Sequence, residues 1–114
     1  MLFQTLTQDV SQLEANLCYA FVDPTRILIL YALHDQPCTV NELTRKLGSS
    51  QSKISRHLKV LRDHGLVRTS RRGVNITYAL ADHRLIDALN ILHDVLRDDL
   101  AFKANLITED KSLE

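Results

Sequence analysis

Tryptophan is missing from the 114-residue chain and aromatic residues make up only 5% of it, so Leu, Ile, Val and Ala must build the core. Three glycines and two prolines are sparse punctuation, which favours long helices over a succession of short strands. Two cysteines are too few for the disulfide framework that staples small secreted domains. The longest uncharged apolar run, Ile27 to Leu33, falls far short of the roughly 20 residues that span a bilayer. No basic stretch precedes an apolar one between Met1 and Asp9, so no signal peptide is expected. Together these absences argue against a secreted, membrane-spanning or fibrous protein and predict a cytoplasmic location. What is present, 45% hydrophobic residues, suffices for one globular domain.

A net charge of zero conceals a strong sorting of charge along the chain. Between Arg45 and Arg72 lie nine basic residues and one acid, Asp63, whereas the rest of the chain holds five basic and thirteen acidic residues. Such segregation suggests a polyanion-binding face set in an acidic body.

Hydrophobic spacing predicts about five helices and one hairpin. Val10, Leu13, Leu17 and Ala20 or Phe21 recur at helical intervals from Thr7, whose hydroxyl would cap a first helix. Asp23-Pro24 starts a second, apolar nearly all round as a buried central helix would be. Thr39-Val40-Asn41-Glu42 is a capping box for a short third helix that Gly48 ends. Ser49 or Ser50 caps a fourth, with Ile54, Leu58 and Leu61 inward and His64-Gly65 at its end. Two helices joined by so short a Gly-containing turn form a helix-turn-helix. After Gly65 the period becomes two: residues 66–70 and 75–80 read as strands of a hairpin with Arg71-Arg72-Gly73 at its tip. Asp82 would cap a last helix in which Leu85, Leu89, Leu92, Leu96 and Leu100 recur like a short coiled-coil seam. The expected fold is mainly α with a small β-hairpin wing, one domain over residues 1–106 and a polar, disordered tail at 107–114.

The fourth helix carries the chemistry. Opposite its apolar stripe stand Gln51, Ser52, Lys53, Ser55, Arg56, Lys59 and Arg62, with no acid among them. A major groove admits one helix, and its base edges are read by Arg, Gln, Asn and Ser. The helix N-terminus at Ser50 adds backbone N–H groups for phosphate. Arg71 and Arg72 at the hairpin tip, with Asn75 beside them, would lie along the same duplex. The leucine seam and the first helix's stripe exceed what one small core needs. A two-fold dimer covering Leu13, Leu17, Leu85, Leu89, Leu92 and Leu96 would present two recognition helices about 34 Å apart, one turn of DNA. The expected partners are therefore double-stranded DNA and a second copy, with no membrane. Two alternatives remain open: a winged-helix module that docks a protein without binding duplex, and a thiol-redox-sensing regulator using Cys38. No phosphate-cradling loop, nucleophile elbow or metalloprotease histidine pair is present, so no enzyme and no cofactor are expected.

Residues 21–30, Phe-Val-Asp-Pro-Thr-Arg-Ile-Leu-Ile-Leu, resemble the second-helix signature of the ArsR/SmtB repressors. Residues 47–67 resemble that family's recognition helix and its exit, and Arg71-Arg72-Gly73 through Tyr78-Ala79-Leu80 its wing. The resemblance covers about residues 10–100 and implies a homodimeric repressor, reading a palindromic operator and leaving it when an inducer is sensed. It also places Gln51, Ser52, Ser55 and Arg56 where the family reads DNA.

The resemblance assigns no inducer. Where one family metal site has a Cys-x-Cys pair, this chain has Thr39 and Asn41, with Cys38 one residue too early. Where another uses ligands on the last helix, only the carboxylates Asp82 and Asp98 remain. His83, Asp87 and His93 are left as weak metal candidates, more simply read as solvated helix surface. Of the thiols, Cys18 takes a position the family fills with a bulky apolar residue and is expected to be buried. Cys38, at the turn before the capping box, is expected to be the more exposed of the two. His57 and His64 are expected to face phosphate and the helix C-terminal dipole.

Overall fold

A computed structural model describes residues 2–21 and 23–112, and the side chains of 7–21 and 23–107. The chain divides into two compact units, Met1–His83 and Arg84–Glu114. The first holds α1 (Leu2–Tyr19), α2 (Pro24–Asp35), β1 (Cys38–Thr39), α3 (Val40–Leu47), α4 (Gln51–Asp63), β2 (Val67–Arg72) and β3 (Asn75–Leu80); the second is one helix, α5 (Arg84–Ser112). Among the described residues this is a five-helix winged helix-turn-helix.

Local chemistry sets the boundaries. The Asp23 carboxylate accepts the Thr25 N–H at 2.7 Å and Pro24 occupies the first turn of α2, where its missing N–H costs nothing. At α3 both arms of the capping box are formed: Glu42 N–H donates to Thr39 Oγ1 and Thr39 N–H to Glu42 Oε1, each at 3.2 Å. The Thr39 N–H and the Thr39 hydroxyl, which donates to the same Oε1 at 3.1 Å, hold the Glu42 carboxyl below its usual pKa. Gly48 ends α3 in the left-handed region at φ +63°, and Ser50 caps α4 by accepting the Lys53 N–H at 3.2 Å. The turn between the two helices is thus three residues, 48–50.

Ile29, Leu30, Leu43, Ile54, Leu58 and Leu61 are fully buried, so α2, α3 and α4 share one aliphatic core. The sheet has the order β1-β3-β2, antiparallel throughout, with Cys38 opposite Tyr78 and Arg72 opposite Asn75.

Four boundaries differ from expectation. Helix α1 begins at Leu2, which leaves Thr7 inside it rather than at its cap. Strand β1 went unforeseen because two residues carry no alternation to detect. The second strand of the sheet extends to Arg72, making Gly73-Val74 the two-residue turn, with Gly73 at φ +62° as a hairpin of type II′ requires. Helix α5 starts at Arg84 rather than after Asp82, because Leu80 still pairs with Val67 and Ala81 N–H bonds to Leu66 O at 3.0 Å. That helix continues to Ser112, through the stretch expected as a tail; the final two residues of that stretch, and Val22, lie outside the described residues.

Candidate nucleic-acid interface

Helix α4 has two unlike sides. Ile54, Leu58 and Leu61 fasten it to the core without residual exposure, while Gln51, Ser52, Lys53, Ser55, Arg56 and Lys59 all face solvent. The exposed side is free of acid until its last turn. There Asp63 meets Lys59 (Nζ to Oδ2, 3.2 Å), a carboxylate contact the expected acid-free front did not include. With both partners largely solvated such a pair contributes little, so Lys59 stays available to a stronger anion.

The wing stands beside this front. Gln51 at the start of α4 and Asn75 at the start of β3 line one notch with Asn41, Val40 and Val74. Two residues singled out from sequence are thereby brought together, and Asn41, from the first turn of α3, joins them without having been foreseen. Arg71 and Arg72 are exposed at the end of β2, and Val74 in the turn is 94% exposed. Arg68, Ser70 and Arg72 also line a groove of ≈ 360 Å³ with Pro37, Thr69, Thr77 and Ala79, and the strand period puts the two tip arginines on opposite faces of β2.

His57 does not face phosphate. It is 6% exposed and lies on the inner side of α4, where Arg26 Nη1 donates to its Nδ1 at 3.3 Å. Because a guanidinium only donates, Nδ1 carries the lone pair and the ring proton sits on Nε2, 3.7 Å from Asp23 Oδ1. The same guanidinium donates to Ala20 O at 2.9 Å and Tyr19 O at 3.3 Å, and lies 5.8 Å from the centre of the Tyr19 ring. One buried arginine therefore joins the C-terminal end of α1, the start of α2 and the recognition helix. Burial holds the His57 imidazole below its ordinary pKa against the opposing pull of Asp23, and Arg26, Arg56 and Lys53 push the same way as burial. Burial alone would raise the Asp23 carboxyl, yet the Thr25 N–H and the charges of His57 and Arg26 keep it below its usual value. His64 caps α4 as expected at the helix end, its Nδ1 2.8 Å from Val60 O.

The two thiols exchange places. Cys18 is exposed on α1; Cys38 is buried, because β1 turns it into the core, and its thiol donates to Gln36 O at 3.3 Å. Lys46 Nζ is 3.6 Å from that sulfur. The metal candidates do not converge: His83 precedes α5 and meets His34 instead, and among the described residues no three His, Cys, Asp or Glu side chains gather.

Of the leucines expected at a dimer interface, Leu89 is buried within the single chain and Leu85 half-buried. Leu13, Leu17, Leu92 and Leu96 remain exposed, as do Ile91, Val95 and Leu100.

A sequence profile described as "Bacterial regulatory protein, arsR family" matches residues 23–69. The HTH-type transcriptional regulator CmtR of Mycobacterium tuberculosis is 44% identical over 82 residues, covering 72% of this chain and 70% of its own. Among solved structures, NolR from Sinorhizobium fredii is similar with a TM-score of 0.72 at 31% identity, over 78% of this chain and 89% of that one. HlyU from Vibrio cholerae gives 0.66 at 33% identity, over 75% and 92%. Among the described residues no helix is long and apolar enough to cross a membrane.

Proposed function

The chain belongs to the arsR family of bacterial regulatory proteins, and from that premise we propose that it represses transcription by laying the front of α4 in the major groove of operator DNA. Gln51, Ser52, Ser55 and Arg56 meet base edges, while Lys53, Lys59 and the N-terminus of α4 at Ser50 hold phosphates. Arg71 and Arg72 bring the wing against the neighbouring backbone, and Asn75 closes the notch between wing and helix. A second copy covers the exposed apolar side chains of α1 and α5, so that two recognition helices read a palindrome. Such a protein works beside the chromosome in the cytoplasm. Its role is recognition rather than catalysis, and an inducer relieves it.

One observation carries the reading: α4 is anchored by a fully buried aliphatic stripe and turns to solvent a side built of amide, hydroxyl and cationic groups. Fluorescence anisotropy on a duplex from upstream of its own coding sequence, set against a scrambled duplex over a range of salt, tests it. Preference for the first by about a thousandfold or more, with binding that weakens steeply as salt rises, is the expected result. Equal binding to both duplexes, or indifference to salt, contradicts it.

A further inference from the structure

Away from the basic face, two exposed imidazoles from distant parts of the chain meet. His34, in the last turn of α2, and His83, the residue before α5, place their Nδ1 atoms 3.2 Å apart, with ring centroids 5.4 Å apart and planes at 59°. Two nitrogens bound to one tetrahedral zinc ion at ordinary Zn–N lengths stand about 3.3 Å from each other. The pair is thus already at the bite distance of a metal. Without an ion, one ring must donate its N–H to the other. Asp35 follows His34 and Asp82 precedes His83 in the chain, so each imidazole has a carboxylate as its sequence neighbour.

We propose that His34 and His83 form a two-imidazole site for a borderline divalent cation, zinc(II) in the first instance. Imidazole suits zinc, copper and nickel, whereas calcium and magnesium require oxygen donors. Among the described residues no third side chain of ligating type joins the pair. Water or an exogenous ligand therefore completes the coordination, and the ion exchanges more readily than at a closed four-ligand site. Occupancy ties the end of α2 to the residue that leads into α5, closing a loop of 49 residues. Because imidazole must be unprotonated to bind a metal, occupancy falls on acidification. The site shares no residue with the DNA-facing surface, and its existence does not depend on that role.

Zinc(II) titration of the full chain by calorimetry, followed in parallel by NMR of the histidine rings, tests the proposal. The ring signals of His34 and His83 are expected to move together while those of His57, His64 and His93 hold. His34→Gln and His83→Gln are each expected to weaken zinc binding by about tenfold or more, and His93→Gln to leave it unchanged. Zinc affinity unaltered in both His34→Gln and His83→Gln, or ring shifts centred on His93 instead, overturns it. So does the absence of any heat or ring shift on titration.

Discussion

Arg26 serves three acceptors, one on α1, one in the turn after it and one on α4, and a lysine ammonium cannot reproduce that planar fork. Its neighbour His57 gives a pH signature. The folded chain keeps this imidazole neutral, whereas the unfolded chain binds a proton near pH 6.5, so between those two pKa values the unfolded state holds more protons. Stability is therefore complete above about pH 6.5 and falls as the pH drops below it. Asp23 and Glu42, held below their ordinary values, lose their contributions only at lower pH still. Urea melts at pH 7.5 and 5.5 check this: the difference is expected to shrink in His57→Asn, and an undiminished difference contradicts the assignment. On the DNA-facing side, Arg56→Ala is expected to cost about 1–3 kcal/mol on the specific duplex and to relax sequence preference. Arg72→Ala is expected to weaken all duplexes alike and lower the salt slope by about one. Competition binding against scrambled DNA separates the two outcomes. The α4 front was legible because amide, hydroxyl and cationic types recur opposite an aliphatic stripe. The contact between Arg26 and His57 was not, since the two are 31 residues apart in sequence, and Cys38 was misplaced because two-residue β1, which buries it, leaves no periodic trace.

Among the elements, those with chemical end signals were readable and those without were not. Asp23-Pro24, the Thr39–Glu42 box, Gly48 and Ser50 all mark real boundaries, each through an identifiable hydrogen bond or backbone conformation. The last helix begins at Arg84, two residues beyond Asp82, because the β2–β3 ladder still holds Leu80 and Ala81 N–H bonds to Leu66 O. Removing one arm of the capping box in Thr39→Ala is expected to lower stability by about 0.5–2 kcal/mol, read from a urea midpoint. Because Thr39 also lines the notch beside Gln51 and Asn75, a measurable loss of DNA affinity is expected to accompany it. Full affinity in a destabilised Thr39→Ala would separate that notch from the binding surface.

Over the whole molecule, charge sorting was the most informative property of the sequence, since all nine basic residues of the central run fall in the first compact unit, around the helix-turn-helix and wing. The leucine seam was informative only in part. Spacing cannot distinguish a leucine that is buried, such as Leu89, from one that is exposed, such as Leu96. Leu96→Asp is accordingly expected to convert a dimer to a monomer in light scattering and to reduce operator affinity, while Leu89→Asp is expected to unfold the protomer. Amide chemical-shift mapping of the chain with its duplex goes to the centre of the account. Perturbations concentrated at 50–59 and 71–75 are the predicted result; a footprint confined to α1 and α5, with α4 silent, would contradict it.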